Sequence, residues 1–102
     1  MNDIKKIQKM EAVVNQAEAV LTALEGSLEA FEQFLPSLTS LIAYYESSDW
    51  MRHYEMDEAG ELPQDMARGV LAEDTVYHLI WRYHELKQTM KKLGELKETN
   101  SK

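Results

Sequence analysis

Two rows of apolar residues, each repeating every seven positions, constrain this chain more than any other feature. Ile7, Val14, Leu21, Leu28 and Leu35 form one row; Met10, Ala17, Leu24, Phe31 and Leu38 form the other, three positions on. Such a repeat is the a/d stripe of a helix that packs against other helices. Asp3 is placed to cap its start, and neither Gly nor Pro intervenes before Gly26 and Pro36. The spacing predicts a coiled-coil-like first helix over about residues 3–34, roughly 48 Å long at 1.5 Å per residue. Gly26 costs about 1 kcal/mol in a helix interior and marks a place where another helix can cross closely.

Pro36 sets the next expectation. It lacks an N–H, its ring crowds the carbonyl four residues back, and it pushes Leu35 away from the helical region. Because it also suits the first position of a new helix, the sequence predicts a reversal at Leu35-Pro36. The rival is one continuous helix, since the heptad phase runs through the proline to Ile42 and Tyr45. With the reversal, a second helix spans about 36–59, with a break at Ser47-Ser48 where a serine can cap a restart. Gly60 is its expected stop, in the left-handed conformation. Residues 60–72 then form a long connection whose Leu62, Met66, Val70 and Leu71 predict an ordered, packed segment. A third helix follows over about 73–97, carrying Val76, Leu79, Tyr83, Leu86, Met90 and Leu93 on one stripe. Tyr77, Ile80 and Trp81 make its first half apolar nearly all round, so residues 76–83 are expected to be wrapped on more than one side.

These elements predict a single all-α domain, an antiparallel three-helix bundle running up-down-up. Charge fits that topology. The lysines opening the first helix would meet the acidic end of the second, and those closing the third would meet Glu25, Glu29 and Glu32. Exposed pairs of this kind are worth well under about 1 kcal/mol each, so they support topology more than stability.

Composition narrows the function classes. The chain has 102 residues and a net charge of −7, with no cysteine. That removes disulfides, thiolate metal sites and cysteine nucleophiles, and it fits a reducing compartment. The acidic middle is a poor match for a phosphate backbone, which disfavours nucleic acid. No apolar run approaches membrane-spanning length, so a cytoplasmic protein with no membrane role is expected.

The distinctive block lies between Tyr44 and Leu79. It reads Tyr44-Tyr45-x-Ser47-x-x-Trp50, then Tyr54-Glu55-x-Asp57-Glu58-x-Gly60-x-Leu62-Pro63, and later Arg68-Gly69-Val70-Leu71-x-Glu73-Asp74-x-x-Tyr77. About a third of the chain thereby resembles a bacterial family catalogued only as a domain of unknown function. The chain departs from that pattern at His53, where an acid is expected, and at Ala72, where a serine would cap the third helix. The resemblance implies no activity; it shows where such a chain is distinctive.

Several constellations in this block admit a functional reading beside a structural one. Tyr44, Tyr45, Trp50 and Tyr54, with Glu55 and Asp57, make a candidate interaction surface, because Tyr and Trp anchor interfaces. The structural alternative is that the aromatics pack the 60–72 connection. Asp49, His53 and Asp57 fall at successive i,i+4 positions and could hold a small ligand or divalent cation, or form only a solvated ladder. Asp74 and His78 repeat that spacing. Arg68, beside Glu73 and Asp74, could form an anion site at the start of the third helix, but an internal ion pair with one of those acids is favoured. A calcium loop beginning at Glu55 fails at Ala59 and Met66, and no His follows a Glu by three residues as a bundle di-iron site needs. No phosphate-cradling loop or nucleophile elbow is present, and no metal or cofactor is implied. The leading expectation is therefore a non-catalytic module that binds a protein partner or itself. The alternative is a ligand or cation site, possibly enzymatic, around His53.

Overall fold

The computed structural model describes residues 2–96. They form three α-helices and no strand: α1 (Asn2–Tyr45), α2 (Ser48–Glu58) and α3 (Thr75–Glu95), with a 3-10 turn at Gly69–Leu71. The all-α class and the long first helix thus agree with the sequence. The expected end of the third helix at Lys97, and the tail beyond it, lie outside the described residues. Among the described residues no helix is long and apolar enough to cross a membrane.

The reversal at Pro36 is corrected. α1 carries Pro36 inside it and continues to Tyr45. The physical reason is where the ring sits in the repeat. Pro36 occupies the position after Leu35 in the heptad, on the side away from the Leu35 and Leu38 stripe, and it is exposed. The carbonyl it fails to serve is that of Glu32, on the same exposed face, where water can satisfy it. Leu38, Ile42 and Tyr45 continue the apolar phase without a shift, so the helix loses one hydrogen bond and keeps its stripe. Residues 36–45, expected to open the second helix, therefore close the first.

Cα proximity divides the chain into two compact units, Met1–Leu38 and Thr39–Lys102. The described part of the first is one helix. No residue of α1 is buried: Ile7, Val14, Leu21 and Leu28 of the a row are 44–66% exposed. Gly26, suggested as a crossing point, has open space where its Cβ would be.

The second unit holds the packed core. The turn after α1 is closed by Ser47, whose Oγ donates to the Tyr44 carbonyl at 2.6 Å and accepts the Trp50 N–H at 3.4 Å. That serine is the N-cap of α2, so the expected restart is present and α2 is short. At its other end Gly60 takes φ 72°, while its N–H donates to Asp57 and that of Glu61 to Met56. This is a Schellman closure, which satisfies carbonyls a helix end otherwise leaves open. The 3-10 turn packs against both α2 and α3. Trp50, Leu71 and Val76 are buried, at 7%, 4% and 1% exposure, one from each of α2, the turn and α3. The 60–72 connection is thus ordered, but only Leu71 of its four expected anchors is fully buried. Leu62 is half-buried, and Met66 and Val70 are exposed.

Candidate functional site

Trp50 organises the aromatic block. It lies in the first turn of α2 because Ser47 caps the helix three residues earlier. Tyr54, one turn on, stacks on it at 5.3 Å between centroids with 15° between planes. Tyr45, from the last turn of α1, meets it edge-on at 5.0 Å. Both geometries suit the aromatic quadrupole. The indole Nε1–H donates to the Val70 carbonyl at 2.9 Å, which ties the 3-10 turn to α2. The two phenols converge on Glu73. Tyr45 donates to its backbone carbonyl at 3.4 Å and Tyr54 to its carboxylate at 2.6 Å.

The four aromatics first read as a recognition surface are therefore largely committed inside the second unit. Trp50 is withdrawn from solvent, and Tyr44, Tyr45 and Tyr54 are half-buried with their hydroxyls engaged. Of the acids grouped with them, Glu55 is exposed and Asp57 half-buried. The Tyr54 phenol is pushed up to about 12, first by the hydrogen bond to Glu73. Desolvation follows, then the negative charges of Glu58, Glu73 and Asp57, all of which oppose a phenolate.

The Asp49, His53, Asp57 ladder does not converge. Asp49 pairs with Arg52 at 3.1 Å, Asp57 pairs with Arg68 at 3.1 Å, and His53 faces Tyr44. Among the described residues no group of three or more His, Asp or Glu side chains is placed to hold a metal ion. The expected pairing of Arg68 with Glu73 or Asp74 is likewise corrected. Arg68 reaches back to Asp57 of α2, and Glu73 instead accepts the Tyr54 hydroxyl.

His53 nevertheless has a defined setting. Its Nδ1 lies 2.7 Å from the Tyr44 hydroxyl and its Nε2 3.3 Å from Arg52 Nη2. A guanidinium only donates, so Nε2 accepts and Nδ1–H donates to the Tyr44 oxygen. This pair edges a cavity of about 270 Å³ lined by Tyr44, His53, Met56, Leu62, Met66, Ala67, Val70 and Leu71. Sequence reading missed it, because its walls come from three separate segments. The one available signal was the excess of apolar residues in the 60–72 connection.

Outside this block, apolar side chains remain on the surface of α3. Tyr77, Leu79 and Trp81 are exposed, so the wrapping expected around residues 76–83 covers one side only. Leu86, Leu93 and Leu96 continue the exposure.

A family model described as a domain of unknown function (DUF4298) matches residues 7–93, and the chain belongs to that family. No curated protein and no solved structure matches the chain.

Proposed function

We propose, taking membership of that family as the premise, that this chain is a non-catalytic helical interaction module whose contact face is the apolar heptad of α1. The observation that carries this reading is α1, a 44-residue helix with an apolar heptad and no buried residue. Amphipathic helices draw most of their stability from packing, so a stripe of this length is built to be covered. The aromatic block serves as the core that holds α2, the 3-10 turn and α3 together, and the helices present the surface. The module works in a bacterial cytoplasm with a protein partner or a second copy, not with nucleic acid. Its acidity and lack of cysteine support that placement.

The test is photo-crosslinking in living cells. A photoreactive residue replaces Leu24, on the α1 stripe, and in a control replaces Gln8, off the stripe. Discrete protein adducts from position 24 alone are expected. No adduct from position 24, or equal adducts from both, would refute the reading.

A second reading, a small-ligand site at His53, is favoured by the cavity beside the Tyr44–His53 pair. Its apolar walls and single polar edge suit a compact apolar molecule carrying one polar group. Stabilisation by such a compound in a thermal-shift panel, lost in His53→Ala, would support it; no shift across the panel would remove it.

A further inference from the structure

The cavity beside the Tyr44–His53 pair measures about 270 Å³, and every residue lining it belongs to the second unit, so it is complete within one compact body. An apolar cavity of about 150 Å³ admits a single benzene ring, so this one has room for more. Met56, Leu62, Met66 and Leu71 make its walls apolar, and the two methionines can adapt their shape to an occupant. Among the lining residues only Tyr44 and His53 have polar side chains. Several backbone groups along the wall are already engaged. The Met66 N–H donates to Pro63 and the Leu71 N–H to Arg68, while the Val70 carbonyl accepts from Trp50. Recognition of a polar group therefore falls to the Tyr44–His53 pair.

That pair has a direction. Arg52 donates to His53 Nε2, so His53 Nδ1–H donates to the Tyr44 oxygen at 2.7 Å. The proton left to offer is that of the Tyr44 hydroxyl, and a hydroxyl that accepts one hydrogen bond donates a stronger one. A ligand N–H would instead compete with His53 for the Tyr44 oxygen. Arg52 and Arg68, beside the lining residues His53 and Ala67, are paired with Asp49 and Asp57, so a ligand carboxylate would compete with those acids. Resting on the reading of this cavity as a small-ligand site, we infer that its ligand is a neutral, mainly apolar molecule about the size of two fused rings, held through a carbonyl oxygen that accepts from the Tyr44 hydroxyl.

Bicyclic probes of nearly one shape test this. Indanone carries a carbonyl, indane no polar group, indole only a donor, and indane carboxylate a charge. Each is titrated into the full chain with isotope-labelled methionine methyls, and the Met56 and Met66 signals report filling of the cavity. Indanone is expected to shift both signals and to bind at least about threefold more tightly than the other probes. In Tyr44→Phe that advantage is expected to vanish while indane binds as before, with Trp50 fluorescence unchanged to show that the core is intact. The wild-type ranking decides even without that variant. If no probe shifts Met56 or Met66, the ligand-site reading fails and the inference fails with it. If indane or indole matches indanone, if the carboxylate exceeds it, or if an intact Tyr44→Phe keeps the preference, the ligand site stands and the carbonyl assignment is overturned.

Discussion

Replacing Trp50 should unfold the second unit, including the last turn of α1 that Tyr45 anchors against it. Trp50 is 7% exposed, stacked on Tyr54, met edge-on by Tyr45 and hydrogen-bonded to Val70. Truncating a buried Trp to Ala typically costs about 3–5 kcal/mol. A packed unit of about sixty residues has only roughly 3–9 kcal/mol in total. Trp50→Ala should therefore remove most or all of that stability. Trp50→Phe keeps a ring between Tyr45 and Tyr54 and gives up the bond to the Val70 carbonyl, an expected loss of about 1–2 kcal/mol including the smaller ring. Amide hydrogen exchange reads this locally. The alanine variant should lose protection across α2 and Gly69–Leu71, and the phenylalanine variant should lose about fivefold to thirtyfold. An alanine variant less than about 1 kcal/mol below wild type would refute the reasoning, and so would a phenylalanine variant as damaged as the alanine one. Either result would mean that Leu71 and Val76 hold α2, the turn and α3 together without the indole.

Three further perturbations probe single features. Tyr54 has a folded pKa of about 12 against an ordinary 10.0, so its contribution to stability is complete below pH 10 and is lost as pH rises from 10 to 12. Spectrophotometric titration at 295 nm should show a phenol ionising near 12 that disappears in Tyr54→Phe and moves down toward 10 in Glu73→Gln; an unmoved titration in the latter would exclude Glu73 as the cause. Pro36→Ala should raise helicity and thermal stability, by up to about 3 kcal/mol, because it restores an interior helix hydrogen bond; a destabilised variant would mean that the proline ends a helix after all. Gly60→Ala should cost about 1 kcal/mol, since φ 72° is strained for any residue with a Cβ, and an unchanged urea midpoint would contradict the Schellman closure.

The parts of this fold that sequence revealed are those decided by local rules. The heptad of α1, the serine cap at Ser47 and the left-handed Gly60 each follow from chemistry within a few residues. Pro36 misled because two local rules competed there. Its intrinsic cost in a helix argues for a break, whereas the apolar phase through Leu38, Ile42 and Tyr45 argues for continuity. The phase prevails because the ring points away from the stripe. In the site, the i,i+4 spacing of Asp49, His53 and Asp57 correctly put them on neighbouring turns of α2, yet spacing says nothing of partners brought by other segments. Arg68 removes Asp57, Arg52 removes Asp49 and Tyr44 occupies His53. Likewise the choice of Tyr54 for Glu73 depends on the 3-10 turn, which no local pattern announced.

The distribution of burial ties the fold to the proposed role. Among the described residues only Trp50, Leu71 and Val76 are buried, and all three belong to the second unit. Three residues suffice to fix a short helix, a turn and the start of α3, because hydrogen bonds from Trp50, Tyr45 and Tyr54 bind the same segments. They do nothing for the distal half of α3, where Leu86 and Leu93 remain exposed. α1 is more extreme still, since most helical stability in proteins comes from packing an amphipathic face and none of its residues is buried. Nucleation is the costly step in making such a helix, and its last turn is held by Tyr45 against Trp50 and by Ser47 at the Tyr44 carbonyl. The aromatic block thus works as a template at the C-terminal end of α1, and on the proposed function assembly supplies the remainder. A chain arranged this way should gain helix as it associates. If the partner is a second copy, far-UV ellipticity of the wild type should fall on dilution, together with the mass of the assembly. Ellipticity that stays constant while the assembly dissociates would show that α1 holds its own structure, and that association adds no helix.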